Sequence, residues 1–241
     1  MALKKIAKIL LLCVFFIQGC GKSGEDYFKS GIEHYNNQRF NESIKLFKKS
    51  LKLEPEHIKA RFYLGMAYKR LGQVKSAIDE IKYAAEITPN DFYIFYNLAD
   101  CYRLTEDYNQ GVEFARKSLS IKPNFMESHL LLSINLYLSG QIDPARKELE
   151  FIVKVTEPDK SDLYRDALYH LGVLYRITKD YDLSIKTFEQ LAEITPNDAQ
   201  IYYEKGITYL AMNDMDNVAN QITKLKNLDS PLEHMLRDKL K

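Results

Sequence analysis

Proline, small and apolar positions recur along this chain at one interval. Pro55, Pro89 and Pro123 are 34 residues apart. Setting that proline at position 32 of a repeat gives frames 24–57, 58–91, 92–125 and 126–159, then, after five extra residues, 165–198 and 199–232. Position 8 is small in every frame (Gly31, Gly65, Ala99, Ser133, Gly172, Gly206), and position 17 is apolar in every frame (Phe40, Val74, Tyr108, Ile142, Tyr181, Met215). A fixed period in the range of about 20–50 residues marks a chain built from stacked units, each burying its apolar face against its neighbours. Polar positions keep the same period. Asn41, Asn109, Asp143, Asp182 and Asp216 directly follow position 17 and are expected to N-cap a second helix; repeat two has Lys75 there and is expected to fray. Asn90, Asn124 and Asn197, each after a proline, are expected to cap the next first helix, and Pro144 falls in a first turn, where proline is tolerated. Ser230-Pro231-Leu232-Glu233 reads as a capping box, and Leu232, Leu236 and Leu240 share one face, so a short closing helix is expected over 230–241.

The frames can be set against the pattern W-x₂-L-G-x₂-Y…A-x₃-F…P. Repeat two supplies Leu64, Gly65, Tyr68, Ala77 and Pro89, and repeat five supplies Leu171, Gly172, Tyr175, Phe188 and Pro196; repeat four diverges most, with Leu132, Ser133, Leu136, Ala145 and Leu149. Residues 24–232 therefore resemble tetratricopeptide repeat proteins. The resemblance implies an all-α fold: a right-handed α-solenoid of six helix-turn-helix repeats, closed by the C-terminal helix. The small residue at position 8 would let the two antiparallel helices of a repeat approach closely, and position 17 would pack as a staple. The five extra residues, Lys160 to Tyr164, either lengthen a loop or change the pitch between repeats four and five.

Ahead of the repeats, Lys4, Lys5 and Lys8 precede an unbroken apolar run, Ile9 to Ile17, and then Gln18, Gly19 and Cys20. This is the layout of a secretory signal over 1–19. Nine residues at about 1.5 Å each cover well under half of a hydrocarbon core roughly 30 Å thick, so the run is too short for a transmembrane helix. Ile17-Gln18-Gly19-Cys20 resembles a bacterial lipobox, although Gln18 stands where a small residue is usual. That resemblance implies a lipidated Cys20, with residues 20–24 as a short tether and the bacterial cell envelope as the location. Gly21 after the cysteine implies the periplasmic face of the outer membrane where a cell has two membranes. Stable anchoring needs more than one acyl chain, at about 0.8 kcal/mol per buried CH₂. Cys13 would leave with the signal, and Cys101 is then without a disulfide partner and reads as a small buried hydrophobe.

Thirty-four Lys and Arg balance 33 Asp and Glu, so no overall basic field recruits nucleic acid. Gly21-Lys22-Ser23 imitates the end of a phosphate loop, but the first glycine of that motif would fall at Phe16. There is no H-E-x-x-H, G-x-S-x-G or paired-cysteine motif, and the five histidines are scattered over different repeats or linkers. A non-enzymatic protein is expected, with no cofactor, no metal and no small-molecule substrate. In tetratricopeptide proteins, positions 2, 5, 6, 9, 12 and 13 of the first helices line a groove. Position 5 holds Phe28, Phe62, Tyr96, Leu130, Tyr169 and Tyr203, and position 12 holds Tyr35, Lys69, Arg103, Tyr137, Arg176 and Leu210. Aromatic and Arg side chains are favoured interface anchors, while aromatic columns at a repeat period also serve as packing. Asn97 and Lys69 resemble part of a carboxylate clamp, the rest of which is missing at Met66, Glu127 and Leu131. The candidate groove is thus Phe28, Phe62, Lys69, Tyr96, Asn97, Arg103, Leu130, Tyr137, Tyr169, Arg176 and Tyr203. The reading is a membrane-anchored scaffold for a protein or peptide of an envelope assembly. The alternatives are a pilotin-like factor for secretin assembly, by a resemblance in size, repeat count and anchor, and an activator subunit of a cell-wall enzyme.

Overall fold

The computed structural model describes residues 22–156 and 161–240; the expected signal over 1–19, the expected lipidation site Cys20 and residues 157–160 lie outside the described residues. Among the described residues there are thirteen helices and no strand. They pair by repeat: α1 (Gly24–Asn36) with α2 (Phe40–Leu53), α3 (Ile58–Arg70) with α4 (Val74–Ile87), and α5 (Phe92–Leu104) followed by α6 (Tyr108–Ile121). The same order continues with α7 (Met126–Leu138) and α8 (Ile142–Val155), α9 (Asp162–Ile177) and α10 (Tyr181–Ile194), α11 (Ala199–Ala211) and α12 (Met215–Asn227), and then α13 (Leu232–Asp238). The architecture is all-α, built of antiparallel helical hairpins at the interval the repeat predicts. The chain divides into two compact units, the first ending at Thr105 and the second beginning at Glu106.

Position 8 sets how closely the helices pack. A Cβ added at Gly31, Gly65 or Gly172 would stand 2.5, 2.6 and 2.8 Å from Phe47, Ile81 and Phe188 of the same repeat's second helix. Those three side chains are fully buried, so they have no room to give way. In repeat six the same position serves a different partner: Gly206 receives Leu236 of α13. Leu236 is fully buried beside Tyr203, Val218, Ile222 and Leu225, with Leu232 packed against that cluster, while Leu240 is exposed. The closing helix therefore covers the apolar end of repeat six, as a solenoid requires.

The caps lie elsewhere than the sequence suggests. Each second helix begins at the position-17 residue itself, so Asn41, Asn109, Asp143, Asp182 and Asp216 sit inside the first turn, and the cap is position 16. There Asp107 and Asp214 accept from the backbone N–H of Gln110 and Asn217, whereas Arg39, Gln73 and Gln141 make no side-chain cap. Lys75 is thus no special weakness of repeat two. First helices are likewise capped one residue after the expected asparagines: Asp91 and Asp198 accept from Tyr93 and Gln200, and Phe125 has no capping side chain to offer. At the closing helix Ser230 Oγ accepts from Leu232 N at 3.3 Å, while Glu233 pairs with Arg237.

Two further features were not foreseen. The insertion is not simply a longer loop: its residues from Asp162 to Tyr164 extend α9 to 16 residues, where the other first helices have 13, and Ser161 caps it. Tyr164 is buried with Leu168, Phe188, Leu191 and Ile201, which accounts for the added turn. Second, position 15 has a positive φ in all six repeats: Gln38 (58°), Gly72 (73°), Glu106 (62°), Gly140 (82°), Lys179 (66°) and Asn213 (59°). The left-handed residue closes each first helix and turns the chain into the second.

Candidate functional site

Within each unit, position 12 of one first helix lies against positions 6 and 9 of the next. In the first unit Tyr35 meets Tyr63 edge-on, with ring centroids 5.7 Å apart. One junction on, Lys69 Nζ donates to Asn97 Oδ1 at 3.0 Å and to Asp100 Oδ2 at 3.1 Å, and Arg103 donates to Asp100 Oδ1 from Nε (3.1 Å) and Nη2 (2.8 Å). Burial pushes the Asp100 carboxyl up, but Lys69 and Arg103 together outweigh it and leave it below its usual range. Lys69 and Arg103 are therefore engaged by Asp100, and Asn97 by Lys69 and the Tyr93 carbonyl, so they do not stand open as a clamp for an incoming carboxylate. Cys101, beside this cluster, is fully buried, and burial pushes its thiol up to about 12, so it is an inert core residue.

The position-5 column divides between interior and face. Phe62 and Tyr203 are buried, and they pack rather than bind. Phe28 is half-buried against Phe47, His57 and Tyr63. Tyr96 is half-buried and stacks on Tyr93, centroids 5.9 Å apart, and Tyr93 is 44% exposed. Tyr93, at position 2, is thus the outward aromatic of the first unit.

In the second unit Tyr169 O–H donates to Glu204 Oε1 at 3.2 Å, and Arg176 Nη2 donates to Glu204 Oε2 at 3.0 Å. Gln200 Nε2 adds a bond to Glu204 at 3.2 Å. Glu204 is buried, so its charge is matched by this latch between α9 and α11. Burial raises the Tyr169 hydroxyl pKa, with the Glu204 charge adding to it. Leu210 closes on the repeat-six core.

Between α7 and α9 the pattern breaks. Tyr137 at position 12 faces a helix whose positions 6 and 9 are His170 and Val173, neither of which can latch to it as Asp100 or Glu204 does to its cation. The result is a cavity of about 140 Å³ lined by Ser133, Ile134, Tyr137, Leu138, Leu149, His170, Val173 and Leu174. Tyr137 and Leu138 are 37% and 40% exposed at its edge. Burial lowers the His170 pKa, opposed by the nearby Asp166, so the imidazole is neutral near pH 7. Leu130 is half-buried on α7 outside the cavity lining. Of the expected groove residues only Tyr137 lines this cavity. Ile134, Leu138, His170 and Val173 were missed, and reading columns 6, 9 and 13 beside 5 and 12 would have found them.

Family models described as tetratricopeptide repeat match residues 28–92, and again 92–125 and 166–198, together more than half of the chain. The chain belongs to the tetratricopeptide repeat family. Anaphase-promoting complex subunit 3 of Schizosaccharomyces pombe is 25% identical over 214 residues, covering 88% of this chain and 28% of that protein. The chain thus spans under a third of that curated relative's length. A tetratricopeptide repeat protein from Parabacteroides merdae superposes with a TM-score of 0.77 at 20% identity, over 92% of this chain and 86% of its own. YrrB, a tetratricopeptide protein described as having an unusual peptide-binding site, superposes with a TM-score of 0.64 at 18% identity, over 79% and 94%. These likenesses show the fold, which is one suited to binding a protein or peptide. Among the described residues no helix is long and apolar enough to cross a membrane, and no group of His, Cys, Asp and Glu is arranged to hold a metal ion.

Proposed function

We propose that this protein is a non-catalytic scaffold that holds a segment of a protein partner on its first-helix faces while Cys20 anchors it in the bacterial envelope. The observation that carries the binding half is the cavity between α7 and α9. It lies on the helices that tetratricopeptide proteins use for binding, and the next junction of the same unit is closed by Arg176–Glu204. That latch also preorganises the adjoining face, so little conformational entropy is lost when a partner docks. The anchoring half is supported by the basic start, the short apolar run and the Ile17-Gln18-Gly19-Cys20 tetrapeptide. Escort of secretin subunits and activation of a cell-wall enzyme are both forms of this reading, distinguished by which partner is held.

Crosslinking in the native cell, followed by mass spectrometry of proteins bound to a C-terminally tagged copy, tests the reading with Cys20→Ala as the comparison. An envelope protein recovered with the natural chain and lost with Cys20→Ala is the expected result. Equal recovery of cytosolic proteins from both would overturn the anchored assignment.

A further inference from the structure

The cavity between α7 and α9 has a definite chemistry. Its volume of about 140 Å³ is on the order of cavities that admit a benzene ring, so it takes one leucine- or phenylalanine-sized group. Ile134, Leu138, Leu149, Val173 and Leu174 make its walls. Of the polar groups, Ser133 Oγ already donates to the Leu130 carbonyl at 2.6 Å, and His170 contributes an uncharged ring. Its lining holds no Asp, Glu, Lys or Arg to neutralise a buried ion, so an apolar group is what it accepts.

Two carboxylates stand on the N-terminal side of its lining residues on α7 and α9. Asp166 lies one helical turn before His170 on the same side of α9, close enough to act on its titration. Glu127 occupies on α7 the repeat position that Asp166 occupies on α9. Both are exposed, and neither is in a salt bridge among the described residues, unlike Asp100 and Glu204. Exposed unpaired carboxylates one turn (Asp166) and two turns (Glu127) along the helices from an apolar hole complement a cation a few residues from an apolar side chain.

We infer that this cavity is the anchor pocket for a single large apolar side chain, Leu or Phe, of a partner segment that carries Lys or Arg a few residues away, the cation lying against Asp166 and Glu127. The inference rests on the peptide-binding reading above and specifies its ligand. Tyr137 and Leu138 form the lip over which the segment passes. The basic residue sets orientation and excludes acidic segments, while the apolar anchor supplies most of the affinity.

A displayed library of random peptides of about twelve residues, selected on the full chain, tests this. Enrichment of Leu or Phe within about three residues of Lys or Arg is expected. A synthetic peptide of the enriched sequence should bind at least about tenfold more weakly to Val173→Phe, which fills the cavity, and to Leu138→Glu, an exposed change that leaves the core intact. Asp166→Asn combined with Glu127→Gln should reduce the preference for the basic residue with the apolar preference kept. Enriched peptides lacking this pattern, or bound equally by both pocket variants with unchanged circular dichroism, would overturn the pocket and leave peptide binding standing. No enrichment over an unrelated helical protein would overturn both.

Discussion

Single residues carry the turn of every repeat. Position 15 is left-handed throughout, yet only Gly72 and Gly140 are glycine. A non-glycine residue there costs about 1–2 kcal/mol, part of which is recovered because glycine is the more disordered in the unfolded chain. Lys179→Gly is therefore expected to stabilise the protein by about 0.5–1 kcal/mol, raising its melting temperature by about 1–4 °C. A thermal melt by circular dichroism checks this, and a fall in melting temperature would contradict the assigned backbone. The same scale shows why the cations at position 12 could not be interpreted from their own column. Lys69 finds its partners 28 and 31 residues on, and Arg176 finds Glu204 28 residues on, spacings that a comparison made every 34 residues does not reveal.

Helices are joined by a second recurring contact. Position-4 side chains reach back to the carbonyl of the preceding repeat's proline: Arg61 to Pro55 at 3.3 Å, His129 to Pro123 at 2.9 Å and Tyr202 to Pro196 at 2.7 Å. In repeats two and four the same side chain also ties the first helix to the second, Arg61 to Glu80 at 3.0 Å and His129 to Glu148 at 2.6 Å. His129 makes both bonds as a donor only when its ring is protonated. The Glu148 hydrogen bond raises its pKa, burial opposes that, and the Pro123 carbonyl adds to the rise. Because the folded value lies above the unfolded one of about 6.5, the added stability is complete below that pH and is lost as pH rises through the folded value. Melting temperatures of the natural chain and His129→Gln should therefore differ most near pH 5.5 and converge above the raised value. A gap independent of pH would show that His129 acts by packing alone.

Helix pairing and order were legible because small residues and prolines must recur wherever two helices touch or a repeat ends. Gly31, Gly65 and Gly172 confirm this through Phe47, Ile81 and Phe188. The caps were misplaced by one or two residues because Asn and Asp are common throughout a helix's first turn, so side-chain type does not fix which of them starts it. The extension of α9 was hidden for a different reason. Tyr164 earns its place by burial against Phe188 and Ile201, a contact between elements that the period itself does not encode. The pocket was illegible for the converse reason: it exists because no residue at the fourth junction latches Tyr137, and an unfilled space has no sequence motif.

At the scale of the whole molecule, repeated hairpins supply the frame of each unit, and variation at single junctions supplies recognition. Lys69–Asp100 closes a junction within the first unit and Arg176–Glu204 one within the second, where the open junction between α7 and α9 offers the contact. The central claim is that a partner protein docks on this first-helix face and not on the outer helices. Site-specific photocrosslinking in the native cell tests it most directly, with the photoreactive residue placed at Leu138 on α7 in one strain and at the exposed Lys186 on α10 in another. The account predicts a discrete crosslinked partner from Leu138 and none of that partner from Lys186. The same partner captured equally from both positions, or from Lys186 alone, would contradict it.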